Sequence, residues 1–165
     1  MQIDTGTGRA RLATPSDAAE LVRLRALMFD SVGVDTSGPH WRQACLAHLR
    51  ENLGGPRLLG AVIDAPDGSG LAAGGLADIL IRPPGPSLPD GRSGYLGSIS
   101  TDPRFQRRGY GRAVVTLLLA ELQRAGVHRV ELHATNAGEP LYRSLGFTER
   151  SGGLEMRLVL GRAGI

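Results

Sequence analysis

The chain has 165 residues, 41% hydrophobic, 21% charged and 4% aromatic, and carries a formal charge of +3. That length suits one domain of ~150 residues, and that balance suits one sizeable core packed mainly by aliphatic side chains. All 19 cations are arginine, so the positive charge partly reflects a lysine-to-arginine bias. So small a charge with so few rings argues against a nucleic-acid-binding module built from basic patches and stacking aromatics. Cys45 is the only cysteine, which excludes an intrachain disulfide and a cysteine-based zinc site; no metal site is read. Residues 1–13 hold Asp4, Arg9 and Arg11 and lack the apolar centre of a secretory signal. No run of ~18 apolar residues offers a membrane span. A cytoplasmic protein with no membrane and no nucleic-acid partner is expected.

Residues 9–13 read as a first strand. Thr14-Pro15-Ser16-Asp17 announces a helix, with Thr14 as cap, Pro15 in the first turn and an acid after it. Ala18, Leu21, Val22 and Met28 mark its apolar face, and Arg25 interrupts that face. Ser37-Gly38-Pro39 opens a second helix carrying Trp41, Cys45, Leu46 and Leu49, and Gly54-Gly55-Pro56 ends it. Apolar runs at 58–64 and 70–81, split by Ala65-Pro66-Asp67-Gly68-Ser69, form a hairpin. Residues 82–94 are too rich in Pro and Gly for regular structure, and a loop of that length is often functional. A strand is expected at 95–101, an apolar helix at 109–124, a strand at 127–134 and a short helix at 139–145. A hairpin of strands 147–150 and 154–160 would close the chain.

Chemistry concentrates between residues 102 and 112. Pro103 stops a strand and Gly109 opens a helix. Gly109 and Gly111 let backbone N–H groups approach an anion with no Cβ in the way. The helix N-terminus adds its dipole and unpaired donors. Arg104, Arg107, Arg108 and Arg112 add charge, so the segment has the makings of a diphosphate site. A P-loop is excluded because it needs a lysine, and a dinucleotide fingerprint because Val114 stands where its third glycine belongs. Gly6-Thr7-Gly8 lies too near the terminus to compete.

Gln106-Arg107-Arg108-Gly109-Tyr110-Gly111, after a strand and opening a helix, resembles the acetyl-CoA motif of the GNAT N-acetyltransferase family. Leu141-Tyr142-Arg143-Ser144-Leu145-Gly146-Phe147 resembles that family's second hallmark, a short helix ending Leu-Gly-Phe. The motifs cover residues 95–147. The resemblance implies an α/β (α+β) fold over a single domain, residues 1–165. Its sheet would be mixed, mostly antiparallel and central, with a splayed parallel strand pair and about four flanking helices.

The resemblance further implies an enzyme that moves an acetyl group from acetyl-CoA to a primary amine. Ile99, Ser100 and Thr101 would contact pantetheine, and N–H groups near Ile99 would polarise the thioester carbonyl. Arg107, Arg108, Gly109, Tyr110, Gly111 and Arg112 would hold the pyrophosphate. Tyr142 would be the general acid that protonates the departing thiolate. The family often has an asparagine seven residues before this tyrosine. Thr135 occupies that slot here, and its hydroxyl would take over the pantetheine amide or tie the loop.

The base stays open among Asp78, Glu131, His133 and the serines Ser98 and Ser100. The acceptor side would use residues 29–39 and the 82–94 loop, with Met28, Phe29, Trp41 and Tyr95 as walls and Asp30, Asp35 and Asp90 as attractors of a cationic amine. The acceptor would be a small-molecule or peptide amine. The alternative is a non-catalytic acyl-CoA-binding sensor on the same fold. Dimers are common in the family, and the closing hairpin is the expected seam of a homodimer.

Overall fold

The structure is a computed structural model describing residues 3–4 and 8–161; Gly6 and Thr7 of the terminal Gly-Thr-Gly lie outside the described residues. The chain divides into two compact units, residues 1–133 and 134–165.

The first unit holds β1 (Ile3–Asp4), β2 (Arg9–Leu12), α1 (Ala18–Ser31), α2 (Pro39–Asn52), β3 (Leu58–Asp64), β4 (Leu71–Ile81), β5 (Arg92–Thr101), α3 (Tyr110–Arg124) and β6 (Val130–Glu131). The six strands form one sheet in sequence order. Every pair is antiparallel except β5 with β6. Among the described residues no helix is long and apolar enough to cross a membrane.

Strand alternation assigns the two faces of the sheet. A Cβ on Gly74 would meet Leu21 and Leu24 of α1, whereas one on Gly75 would meet Val114 and Leu118 of α3. So α1 and α2 cover one face and α3 the other. Leu21, Leu24, Leu49, Leu58, Val62 and Leu76 make the first core layer. Val114, Val115, Leu117, Leu118 and Leu122 of α3, each 0% exposed, make the second. α1 starts where the sequence places it. The 3-10 turn Pro15–Asp17 precedes it, and the Asp17 carboxylate accepts from the Thr14 N–H at 2.8 Å. Arg11 of β2 then donates to both Asp17 and Asp64, joining β2, β3 and the entry to α1.

Three expectations are corrected. β5 begins at Arg92, so part of the 82–94 loop is strand. The rest is a closed turn, held by the Arg82 N–H on the Gly91 carbonyl at 2.9 Å and by reciprocal bonds between Gly85 and Leu88. β6 is two residues long, not eight, because only Gly94 and Tyr95 pair with it. The closing hairpin is absent: residues 148–161 form no strand. Leu154, Met156, Leu158, Val159 and Leu160 are 71–90% exposed. Alternating apolar residues make a strand only when a neighbour takes the backbone N–H and C=O groups, and no such neighbour occurs there among the described residues.

A buried acid sits where β5 ends. Asp102 is 4% exposed, and its carboxylate accepts from the Arg104 N–H and guanidinium and from Arg23 of α1 at 2.7 Å. Arg23 also donates to Glu20 and to the Leu71 carbonyl, and Glu20 accepts from the Leu71 N–H. The Asp102 N–H donates to the Ala72 carbonyl. This net fastens α1, the start of β4 and the end of β5 to one another. The two guanidiniums hold the Asp102 carboxyl far below its ordinary range. A depressed folded-state pKa stabilises the fold above the unfolded value of ~3.9, and that stability drains away as pH falls through the folded pKa. Replacing Asp102 by Asn should therefore cost on the order of 2–4 kcal/mol at neutral pH, the solvent at the arginine ends trimming the full penalty of a broken buried pair. It should also flatten the acid limb of stability below about pH 5. Thermal melts from pH 3 to 7 check both; an unchanged acid limb contradicts the assignment.

Candidate functional site

The predicted anion turn is built as a left-handed bend on a helix end. Arg107 and Gly109 both have positive φ, 62° and 76°, and Gly109 is the N-cap of α3. Such alternation curls successive N–H groups towards one point, a concavity suited to an anion. The first N–H groups of α3 have no carbonyl partner within the helix. Arg107, Arg108 and Arg112 are exposed around this bend. Tyr110 is not: it is 4% exposed, and its ring lies so close to Gly8 that a Cβ there would collide with it. Only its backbone is left to face a ligand. Arg104, counted with the turn from sequence, is instead committed to Asp102.

β5 carries the second feature. The register runs Gly74↔Ser100 and then Leu76↔Gly97, so two steps on β4 span three on β5. The extra residue is a bulge, and Ser98 within it has φ 55°. Arg25 donates to the Ser98 hydroxyl, which explains the charge that interrupts the apolar face of α1. Ser100 donates to the Leu24 carbonyl at 2.9 Å and is buried, so its hydroxyl is occupied. Ile99 turns to the α3 face, against Gly75. Beyond Tyr95 the β6 side of β5 has no strand neighbour among the described residues. From residue 96 to Thr101 that edge is open, which is the expected splay.

On the α1–α2 face a cavity of about 740 Å³ opens over the sheet. Leu58, Asp78 and Tyr95 lie opposite one another across β3, β4 and β5, so their side chains share a face. Leu76 and Gly97, two residues along, extend this floor. Phe29 and Trp41 form one wall, their rings edge-to-face at 5.8 Å. The Arg25 guanidinium stacks over Phe29 at 4.8 Å. Cys45 and His48 of α2 complete the polar lining, and neither was read as a site residue from sequence. Burial pushes the Cys45 thiol up. It also raises the Asp78 carboxyl above the usual carboxylate range, with His48 and Arg25 pulling the other way.

Several sequence candidates fall elsewhere. Met28 and the 82–94 loop do not line this cavity. Asp30 accepts from the Thr36 hydroxyl at 2.6 Å, Asp90 from the Arg92 N–H at 3.0 Å, and Asp35, at the cavity, from the Ser37 N–H at 2.9 Å. Each serves its own loop. His133 Nδ1 and the Tyr95 hydroxyl are hydrogen-bonded at 2.6 Å, and Glu131 lies 3.9 Å from Arg129.

In the second unit, α4 (Glu139–Ser144) carries Tyr142, half-buried and edge-to-face with Phe147 at 5.9 Å. Its carbonyl accepts from the Leu145 and Phe147 N–H groups, which is how the Leu-Gly-Phe ending folds back over the ring. Burial raises the Tyr142 hydroxyl above the ordinary tyrosine range. Thr135 Oγ1 accepts from the Gly138 N–H at 3.2 Å, bracing the turn into α4.

Comparisons with known proteins bear on the fold and the family. The chain is 46% identical over 57 residues to the ribosomal protein bS18-alanine N-acetyltransferase of Escherichia coli, covering 33% of this chain and 38% of that protein. It is 37% identical over 106 residues to the mycothiol acetyltransferase of Gordonia bronchialis, covering 61% of this chain and 32% of that protein. The chain thus spans well under half the length of these curated relatives. Among solved structures, a GCN5-related N-acetyltransferase from Ralstonia eutropha superposes with a TM-score of 0.74 at 27% identity, over 90% of this chain and 97% of that one. A predicted acetyltransferase with acetyl-CoA from Clostridium acetobutylicum shares the fold with a TM-score of 0.79 at 21% identity, over 90% and 94% of the two chains. The sequence model of the acetyltransferase (GNAT) family matches residues 33–147. With the mixed sheet, the splayed parallel pair and well over half of the sequence in agreement, the chain belongs to the acetyltransferase (GNAT) family.

Proposed function

We propose that the protein transfers the acetyl group of acetyl-CoA to a primary amine by direct attack, the two units working as one domain. The observation that carries this reading is the left-handed bend at Arg107 and Gly109 on the N-terminus of α3. It supports a diphosphate cradle made of backbone N–H groups and ringed by Arg107, Arg108 and Arg112. The unpaired edge of β5 from residue 96 to Thr101 supports pantetheine binding as an added strand along Ile99, Ser100 and Thr101. Ser100 and Tyr110 then contribute backbone alone. Thr135 serves by tying the loop before α4 rather than by donating its hydroxyl to a ligand.

Thioester aminolysis draws on two groups of the chain. An N–H near Ile99 stabilises the developing oxyanion. The amine nitrogen bonds to the carbonyl carbon, the C–S bond breaks, and the thiolate takes a proton. The nitrogen gives up two protons, one before attack and one on collapse, so the reaction releases one proton net from an ammonium acceptor. Tyr142 supplies the thiolate proton; its motif assigns it that role, and a phenol held above its ordinary pKa is protonated wherever a thiol leaving group of pKa ~8.5 needs it.

Acetyl-CoA should raise the melting temperature of the wild-type chain, since it binds only the folded state. Gly109→Val forces a β-branched residue into a left-handed conformation, costs ~1–2 kcal/mol and should abolish that ligand-induced rise. A full rise in the variant would refute the cradle. Tyr142→Phe should lower kcat by ~10²–10⁴ while leaving the acetyl-CoA thermal shift intact. In the wild type the alkaline limb of kcat should lie above the ordinary tyrosine range, because deprotonation removes the acid, and the variant should lack that limb. Tight acetyl-CoA binding with no thiol released on any amine would identify a non-catalytic acyl-CoA-binding module instead.

A further inference from the structure

We infer that Asp78 and the Phe29–Trp41 wall select the acceptor: the 740 Å³ cavity takes a primary amine carried on an apolar or aromatic body, with the ammonium seated on the Asp78 carboxylate. This rests on the acetyl-transfer reading above and adds to it the chemistry of the second substrate.

Four observations converge on it. Asp78 lies on the cavity floor, its position set by the Leu58–Asp78–Tyr95 row across three strands. It is opposite Tyr95, where the β5–β6 pairing ends, and three steps along β5 from the Ser98 bulge. An amine seated there sits beside the open strand edge on which the acyl donor is proposed to lie. Second, Asp35, the other acid lining the cavity, is already bonded to its own loop. No hydrogen bond or ion pair engages the Asp78 carboxylate among the described residues, and no lysine exists in the chain to pair with it. Asp78 is the exposed residue of an otherwise buried stretch of β4, so its carboxylate is open to a cation that enters the cavity.

Third, the remaining lining chooses the body of that ligand. Phe29 and Trp41 meet edge-to-face, presenting ring faces and edges against which an apolar chain or a ring packs. Fourth, Arg25 lines the same cavity but makes no hydrogen bond or ion pair with the acid. It is occupied by the Ser98 hydroxyl and by the Phe29 ring, so its charge disfavours a second cation at that end without neutralising Asp78. The titratable groups facing Asp78 are His48 and Cys45 from α2, Arg25 from α1 and Tyr95 from β5. Amine binding should weaken as Asp78 is protonated in acid.

The test uses the full chain and two small probes of equal shape, phenethylamine and 2-phenylethanol, with methylamine as a body-less control. Binding is read by calorimetry or chemical-shift titration at pH 7.5. Wild type should bind phenethylamine about 10-fold to 100-fold more tightly than the alcohol, the range of one charge-assisted hydrogen bond, and more tightly than methylamine. Asp78→Asn should bring the amine and the alcohol within about twofold of each other, and Asp78→Glu should restore part of the gap. Trp41→Ala should weaken both phenyl probes alike. Amine and alcohol binding equally in wild type, or an undiminished gap in Asp78→Asn, would overturn the inference. Should Asp78→Asn fold poorly, Asp78→Ala replaces it: an undiminished amine–alcohol gap in that variant overturns the assignment. Failure of the acetyl-transfer reading looks different, namely amine discrimination intact with no acetyl-CoA thermal shift and no thiol release.

Discussion

The ion-pair net centred on Asp102 is the constraint on which the working parts depend. The proposed donor site needs β5 to stop, the chain to reverse through Pro103–Phe105 and α3 to begin with its N–H groups aimed outward. Asp102 accomplishes the stop. It caps the 3-10 turn through the Arg104 N–H and, through Arg23, fixes α1 to the same point. Because α1 also supplies Leu24 to the Ser100 hydroxyl and Arg25 to the Ser98 hydroxyl, the bulged half of β5 is clamped at three consecutive alternate positions. The strand cannot drift towards β6, and the edge beyond Tyr95 stays open. A solvated ion pair would be too weak to do this; the burial of Asp102 makes the arrangement costly to break.

The two halves of the proposed reaction are built from different materials. The donor side is backbone: a left-handed bend, a helix terminus and a strand edge. The acceptor side is side chain: Asp78 and Tyr95 from the sheet, Phe29, Trp41 and His48 from two helices. That contrast explains what could be read in advance. The anion turn was legible because glycine spacing, a preceding strand and an apolar helix are local signals. So was the Leu-Tyr helix, whose fold-back ending needs only neighbouring residues. The acceptor cavity was half legible. The sequence offers Phe29, Trp41 and Tyr95 as walls and Asp78 only as a candidate base, and nothing in it could show that Asp78 stands across from Tyr95 or that His48 lines the same cavity, since register is a property of three strands at once.

Misreadings have the same origin. The 82–94 stretch looks irregular because Pro and Gly dominate it, yet Arg92 to Gly94 are held in β5 by Ile79 to Ile81 of β4 and, at Gly94, by Val130 of β6. The 127–134 and 154–160 stretches looked like strands because β-forming residues dominate them, yet pairing there is confined to Val130 and Glu131. Propensity states what a segment can do, and the neighbour decides whether it does so. Arg25 is the instructive exception. A charge on an apolar helix face is an anomaly visible without any structure, and it marks a residue of α1 that reaches the bulge.

The cations around the α3 turn have a chemical consequence beyond attraction. A lysine beside a bound thioester would be a competing nucleophile, and lysine Nε is a common target of acetylation. Arg107, Arg108 and Arg112 present guanidinium groups in place of an amine, and the chain holds no lysine elsewhere. On the proposed reading, the protein offers its acyl donor no side-chain amine of its own. Autoacetylation at Nε is therefore chemically closed to it, and amine-directed labelling reagents would find no side-chain target on its surface.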